Sequence, residues 1–364
     1  MSVAISDMVG GLPLLTVTGT PRAIGESIGQ RLKPRLQLLA QYALEQVAAG
    51  MLAAGHRALS HDDIRRALQP SVEAVPQLDP ALSMELEAIA HATGLPREDL
   101  LLIHGWSDFC GYFRLPQCST LRSSYVALPA AQMDGATPCA ALAWHLEAAL
   151  VPYLTLVRRI PSHGPATVTL TLAGVHPIAG VSEAGHAVAL NALRVEDGVP
   201  GQLASNLVAT ALLAPDWEDA LHRLRAGPRH GGGCIHILAG TGQRRSLELS
   251  GQQSALLPDP WPHAPRVHCN AALTPAIRDV AVADADPGSA ARLRRLAALA
   301  VRAANCTPAL LARWFALDER TASGEAAVPG IDPATTALLI GEPAQRMAYA
   351  ARGGTGQPLG AIAL

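Results

Sequence analysis

Gln117-Cys118-Ser119-Thr120 lies where the chain changes texture, between a mostly helical leader and a long β-rich body. Upstream, residues 12–18 read as a short strand that ends in Gly19-Thr20-Pro21. Thr20 is suited to cap a helix there, and Pro21 to occupy its first turn. That helix is expected to run through Ile24, Ile28 and Leu32 to about Met51. Ser60-His61-Asp62-Asp63 starts a second one, with acidic residues where the helix dipole favours them. Residues 80–93 place Leu82, Leu86, Ile89 and Ala90 three and four apart, and Gly94-Leu95-Pro96 stops them. A further short helix is expected over residues 99–108.

Downstream of Cys118 the spacing predicts strands at 124–128, 140–144, 166–173, 187–190, 235–239, 245–249, 267–271, 335–340 and 346–351. Helices are expected at 203–213, 217–225 and 289–305. Strands and helices interleave without a βαβ rhythm, which points to α+β layers and away from a doubly wound sheet. The junction also carries a chemical implication. Cleavage before Cys118 would put a thiol and a free α-amine on one residue. Their reference pKa values are about 8.5 and about 7.7–8.0. The amine can then take the thiol proton, and no separate histidine is needed. A free cysteine that does no chemistry is otherwise a small buried hydrophobe.

Composition narrows the classes. The chain has 364 residues, 49% of them apolar and 16% charged, enough for a large core in a compact protein. The net charge is only −2, and the basic residues are scattered. The one dense group, Arg292-Leu293-Arg294-Arg295, reads as the solvated face of a helix. With 4% aromatic residues, neither an electrostatic footprint nor a stacking platform for nucleic acid is evident. No apolar run approaches the ~18–20 residues that cross a bilayer. The N-terminal residues lack the basic and apolar regions of a secretion signal, so a cytoplasmic location is expected. Cys110, Cys118, Cys139, Cys234, Cys269 and Cys306 form no CxxC pair and read as reduced thiols. Neither His268-Cys269 nor Cys234-Ile235-His236 has the spacing of a metal site, so no metal is expected.

Several motifs, taken in order, resemble the isopenicillin N acyltransferase family of N-terminal nucleophile hydrolases. Gly19-Thr20-Pro21-Arg22-Ala23-Ile24-Gly25, with Gly29 four residues on, looks like that family's opening segment. Leu86-Glu87-Ala88-Ile89-Ala90 through Thr93-Gly94-Leu95 is similar to its Gly-ended helix, and Cys118-Ser119-Thr120 to the context of its nucleophile. Residues 180–193, from Gly180-Val181-Ser182 to Asn191-Ala192-Leu193, resemble its strand-and-turn segment. Ser246-Leu247-Glu248-Leu249-Ser250 and Val267-His268-Cys269-Asn270 match two later segments. The match runs to about residue 275 and returns loosely in the last thirty residues.

The resemblance implies a four-layer αββα sandwich in one structural domain. Residues 1–117 would be a leader, either a propeptide or a small subunit, packed on a body of residues 118–364. It implies self-cleavage between Gln117 and Cys118, and a thioester acyl-enzyme in the making or breaking of an amide bond, in small-molecule or secondary metabolism. Cys118 would attack. Asn270 would stabilise the oxyanion, Thr120 would polarise the amine or substrate, and Asn191 would hold neighbouring backbone. No cofactor is implied, although an acyl-coenzyme A thioester is a conceivable acyl donor. The partners would be a small acyl donor and an amine or water as acceptor, with no nucleic acid or membrane. The oligomeric state is not legible.

This chain departs from the family pattern near the reacting centre. Gln117 stands where glycine is frequent and restricts the scissile bond. His145 occupies the position of an aspartate that orients the N-terminal cysteine, with Glu147 expected two residues on along the same strand face. Trp106-Ser107-Asp108 falls where an arginine is common, and Gly233 where a serine is often found. Arg346 and Arg352 are both candidates for the family's C-terminal arginine. These departures keep two rivals open. One is an intact chain using Cys118 with His145 as base, and the other a non-catalytic binding or scaffold protein.

Overall fold

The computed structural model describes residues 7–113, 115, 122–129, 137–225, 227–259, 264–282, 286, 288–303, 307–321, 335–353 and 358–364. The leader opens with a hairpin of β1 (Asp7–Val9) and β2 (Leu12–Gly19). The 33-residue α1 (Pro21–Ala53) follows, capped by Thr20, whose hydroxyl accepts from the Ala23 N–H at 3.3 Å. Next comes α2 (His61–Leu78), where Ser60 and Asp63 form a reciprocal capping box. Then come α3 (Pro80–Thr93), closed by left-handed Gly94, α4 (Arg97–His104) and α5 (Trp106–Tyr112). The single helix expected over 99–108 is broken at Gly105. A Cβ there would stand 2.7 Å from the Leu203 side chain and 2.9 Å from the Phe109 ring, so any larger residue would have to displace them.

The body supplies β3 (Arg122–Leu128), β4 (Cys139–His145), β5 (Leu154–Pro161), β6 (Thr167–Leu172), β7 (Val175–Ser182) and β8 (His186–Leu193). After α6 (Ala204–Leu212) and α7 (Trp217–Arg223) come β9 (Gly232–Ala239), β10 (Arg244–Leu249), β11 (Ser254–Leu256) and β12 (Arg266–His268). The chain continues with α8 (Pro275–Arg278), α9 (Ser289–Val301), α10 (Pro308–Thr321), β13 (Ala337–Glu342), β14 (Met347–Arg352) and β15 (Gly360–Ala363). β5 and β7 are not evident in the sequence. β5 ends in two arginines and a proline. β7 begins Val175-His176-Pro177, with His176 at a φ of 54° and a register shift against β6.

Nine strands form one sheet in the order β1-β2-β5-β6-β7-β8-β9-β10-β11, and six form the other, β12-β3-β4-β13-β14-β15. The β2–β5 pair is parallel and the other described pairs are antiparallel. The sheets stack on Tyr125, Leu142 and Trp144 from one side and Ala187 and Ala189 from the other. Alternate residues point outwards. Val126, Ala141, Leu338 and Ile340 pack under α9 and α10, and Val188, Leu190, Ile235 and Leu247 under α6 and α7. With both faces covered, the strands carry near-continuous apolar runs. This is the four-layer αββα sandwich expected from the sequence. Among the described residues, no helix is long and apolar enough to cross a membrane.

Candidate active site

Cys118 and Thr120 lie outside the described residues; β3 begins four residues after Cys118. The second residue of that strand is held from three directions. The Ser123 N–H donates to Asn270 Oδ1 at 2.7 Å. Asn270 Nδ2 donates in turn to Ala192 O at 3.0 Å and to Ser123 Oγ at 3.2 Å. Asn191 Nδ2 stands 2.7 Å from the same Ser123 hydroxyl. The two candidate asparagines, 79 positions apart, thus meet on one residue at the start of β3.

Behind them runs a buried polar chain between the sheets. Asn191 Oδ1 is 2.9 Å from His236 Nε2 and 3.1 Å from His268 Nδ1. His236 Nδ1 meets Ser246 Oγ at 2.7 Å, and its ring stacks on Tyr125 with centroids 3.9 Å apart. His268 Nε2 faces Glu248 Oε1 at 3.2 Å. Glu248 also accepts from the Leu273 N–H at 2.6 Å, the Thr274 N–H at 2.7 Å and the Thr274 hydroxyl at 2.5 Å.

Burial pushes both imidazoles below the ordinary histidine value, with Glu248 opposing the shift at His268. Burial works to raise the Glu248 carboxyl, but the bonds from His268, Thr274 and Leu273 hold it below its ordinary value. Proton counting then selects one arrangement. Two neutral rings beside a carboxylate require His268 Nε2 to donate to Glu248, which leaves His268 Nδ1 an acceptor. The Asn191 amide satisfies that only with its nitrogen towards the two histidines and its oxygen towards the Ser123 hydroxyl. The heavy-atom positions accept this turned amide unchanged.

Cys234, His236 and His268 place ligand-type atoms within 4.8 Å of one another. All four ring nitrogens already have protein partners, however, and burial raises the Cys234 thiol well above its usual value. The donor set suits a hydrogen-bonded cluster better than a cation, which needs deprotonated sulfur and free imidazole lone pairs. Cys139, Cys234 and Cys269 are buried and not disulfide-bonded, whereas Cys110 is disulfide-bonded, so the expectation of six reduced thiols fails at that position.

The other sequence candidates fall elsewhere. His145 ends β4 on the outer face of the six-stranded sheet, with Nε2 3.4 Å from Ser124 Oγ. Glu147 does not continue that face, because β4 stops at His145. Its carboxylate instead accepts from the Tyr42 hydroxyl of α1. Gly233 faces α6, where a Cβ would come 2.5 Å from Leu190 Cδ1, so a side chain there would have to displace Leu190. Arg346 and Arg352 are both exposed.

An arginine that reaches one of the candidate asparagines, Asn270, is Arg292, from the group read as a solvated helix face. Its side chain is 11% exposed and paired with Asp286, which also lies 3.5 Å from Arg122 Nε. Its guanidinium donates to Asn270 Oδ1 at 3.3 Å and to Ser124 Oγ at 3.3 Å. The signal was positional. Arg292 sits three residues after Ser289 and four before Leu296, on the buried stripe of α9.

No family model matches the sequence. No curated protein matches it either. Among solved structures, the chain is similar to an N-acylethanolamine-hydrolyzing acid amidase ortholog from Caenorhabditis elegans. The identity is 12%, over 61% of this chain and 93% of that one, with a TM-score of 0.41. A conjugated bile acid hydrolase variant from Clostridium perfringens aligns at 11% identity over 66% and 92%, with a TM-score of 0.48. Penicillin V acylase from Agrobacterium tumefaciens aligns at 12% over 66% and 86%, with a TM-score of 0.40. At these identities the likeness concerns the course of the chain and says nothing of individual residues.

Proposed function

We propose that this protein is a cysteine amidohydrolase or acyltransferase of the N-terminal nucleophile type, acting on small-molecule amides through Cys118 after cleavage of the Gln117–Cys118 bond. The observation that carries the reading is the clamp on Ser123. Asn270, Asn191 and, through Asn270, Arg292 converge on the strand into which Cys118 leads. A reacting group next to such a clamp meets pre-oriented amide and guanidinium donors.

In this reading the Cys118 thiolate attacks the amide carbonyl carbon, and its α-amine carries the proton to the departing nitrogen. The C–N bond breaks, an amine leaves and a thioester remains. Water or an amine then attacks that thioester and returns the proton and the free thiol. Both Asn270 amide hydrogens are already given, to Ala192 O and Ser123 Oγ. The longer bond, at 3.2 Å to Ser123 Oγ, is the one an acyl oxygen would take over. Such a donor is worth roughly 3–4 kcal/mol of transition-state stabilisation in enzymes where it has been removed. Thr120 is kept as a candidate for polarising the amine.

Intact mass on denatured protein, wild type against Cys118→Ala, tests the cleavage. Pieces of 117 and 247 residues are expected from the 364-residue wild type, and a single mass from the variant. Amine release from a panel of N-acyl amides tests the chemistry, with Asn270→Ala expected to lower kcat by roughly a hundredfold or more. One full-length mass in both proteins overturns the α-amine mechanism. Amine release that survives Cys118→Ala overturns the nucleophile.

A further inference from the structure

On the other side of the nine-stranded sheet, away from the Asn191–Asn270 cluster, α1, α3 and α6 stand apart from β5, β6 and β7 around a cavity of about 280 Å³. We propose that this cavity is a second binding site, for an uncharged amphipathic molecule with an apolar body and a hydroxyl or carboxamide head. The proposal does not depend on the chemistry at Cys118.

The faces separate the two sites. Gly180 of β7 points at Leu212 of α6 and at the Thr169 methyl, which puts Thr169 on the helix side of the sheet. Arg159 pairs with Thr167 across β5 and β6 and shares that side. Asn191 and His236 alternate with Leu190 and Ile235, which pack under α6, and so point the opposite way.

The cavity wall is mainly apolar, built from Ile24, Leu82, Pro161, Pro177 and Leu212 among others, and exposed Thr20, Ser162 and His163 form its rim. Most of its polar groups are already committed. Arg159 donates to Glu85 at 3.2 Å, Thr169 Oγ1 at 3.0 Å and Gly174 O at 3.1 Å. Asp79 accepts from the Leu82 N–H at 2.9 Å, Asn206 Nδ2 at 2.9 Å and the Thr210 hydroxyl at 3.3 Å. His104 is the exception. It is buried on the same wall, and neither of its ring nitrogens has a partner. Its main-chain carbonyl is pinned by His176 Nδ1 at 2.7 Å and Ser205 Oγ at 2.6 Å, so the residue is held in place without its ring being satisfied.

A buried imidazole with both nitrogens idle is a costly arrangement in a folded protein unless something else completes it. A neutral ring offers one donor and one acceptor, which a hydroxyl or a carboxamide matches and an aliphatic chain does not. The charges of Asp79 and Glu85 against the single guanidinium of Arg159 disfavour an anionic head. The apolar walls take the body of the ligand.

Octanamide is the probe, with octanoate as the charged control, and binding is read by calorimetry and by the rise in thermal midpoint. Octanamide is expected to bind saturably with one site per chain, and octanoate at least tenfold more weakly. Ala209→Trp, which fills the cavity from α6, is expected to abolish octanamide binding while the protein still unfolds cooperatively. His104→Phe, which keeps the ring and removes its nitrogens, is expected to weaken octanamide at least tenfold. Absence of saturable binding overturns the site. Binding that survives Ala209→Trp belongs elsewhere in the molecule and also overturns it. Octanoate binding as tightly as octanamide overturns the uncharged head.

Discussion

Asn191 serves three side chains at once, His236 and His268 on one side and Ser123 on the other, and every proton in that cluster is determined by one carboxylate. Glu248 is where the chain of bonds ends. Its oxygens accept from two main-chain N–H groups, a threonine hydroxyl and His268, all donors. Glu248→Gln would turn an NH2 group towards at least one of those donors and remove the charge that offsets their burial. The loss expected is roughly 2–3 kcal/mol of unfolding free energy, since a buried group left without its partner costs about that much. It should appear as a lower urea midpoint at unchanged slope. A Glu248→Gln midpoint equal to wild type would mean that the carboxyl is protonated and already a donor. The proton assignment through His268 and Asn191 would then be wrong. The same residue shows what the sequence hides. Ser246-Leu247-Glu248-Leu249 alternates as a half-buried strand should, yet the polar members face the interior between the sheets. Only the position of the opposite sheet makes that interior polar.

Gly25 and Gly29 carry the resemblance of the leader to a known family, and the structure gives the pattern its physical reason. α1 crosses α3 at those two residues. A Cβ on Gly25 would lie 2.3 Å from Glu85 O, and one on Gly29 2.6 Å from the Ala92 side chain. Close helix approach needs the small residue on one side, and four-residue spacing keeps both on the same face. Gly29→Val should therefore cost about 1–3 kcal/mol through overpacking. Val is also a better helix former than Gly, so the loss measures packing against propensity. A thermal midpoint lowered by several degrees is expected, and one that rises would show that α3 can move away. The leader was legible for this reason. Caps, glycine spacing and the αL stop at Gly94 are local signals, and α1 to α3 fall within a few residues of their expected bounds. The arginines were not legible. Arg292 and Arg346 look alike in composition, and only the packing of α9 against β3 and β12 buries one while the other stays in solvent. Likewise β5 and β7 are strands because the sheet needs them between β2 and β8, against the local signal of their prolines.

The leader also contributes to the sheets themselves. β2 pairs with β5, and Gly10 of the β1–β2 turn accepts from the Arg352 N–H of β14. Helices α1 to α4 and the body therefore share one core, and His104, His176, His186, His230, His236 and His268 are all buried in the molecule. Burial lowers His104 to about 3 and His176 and His230 to about 4, and it lowers His186, His236 and His268 as well. Each of these folded-state values lies below the unfolded one, so between about pH 4 and 6.5 the unfolded chain binds protons that the native chain does not. Stability from these residues is complete above pH 6.5 and is lost as the pH falls towards 4. Asp108 works the other way. Burial raises it to about 7, opposed by the Ala204 N–H it accepts at the start of α6, so the native state holds a proton there that the unfolded chain releases above about pH 4. His104, His176 and His230 set against Asp108 alone leave a net uptake of about two protons on unfolding near pH 5, and His186, His236 and His268 act in the same direction. That corresponds to roughly 2–3 kcal/mol of stability lost per pH unit. The urea midpoint is expected to drop steeply from pH 6.5 to 4.5. Asp108→Asn should make the drop steeper by about one proton, because it removes this opposing carboxyl while keeping an oxygen for the Ala204 N–H. His230→Gln should make it shallower by about one. A midpoint that stays level or rises as the pH falls through this window would show that the histidines are solvated or already charged in the native protein. A shallower slope in Asp108→Asn would show that its carboxyl is ionised throughout.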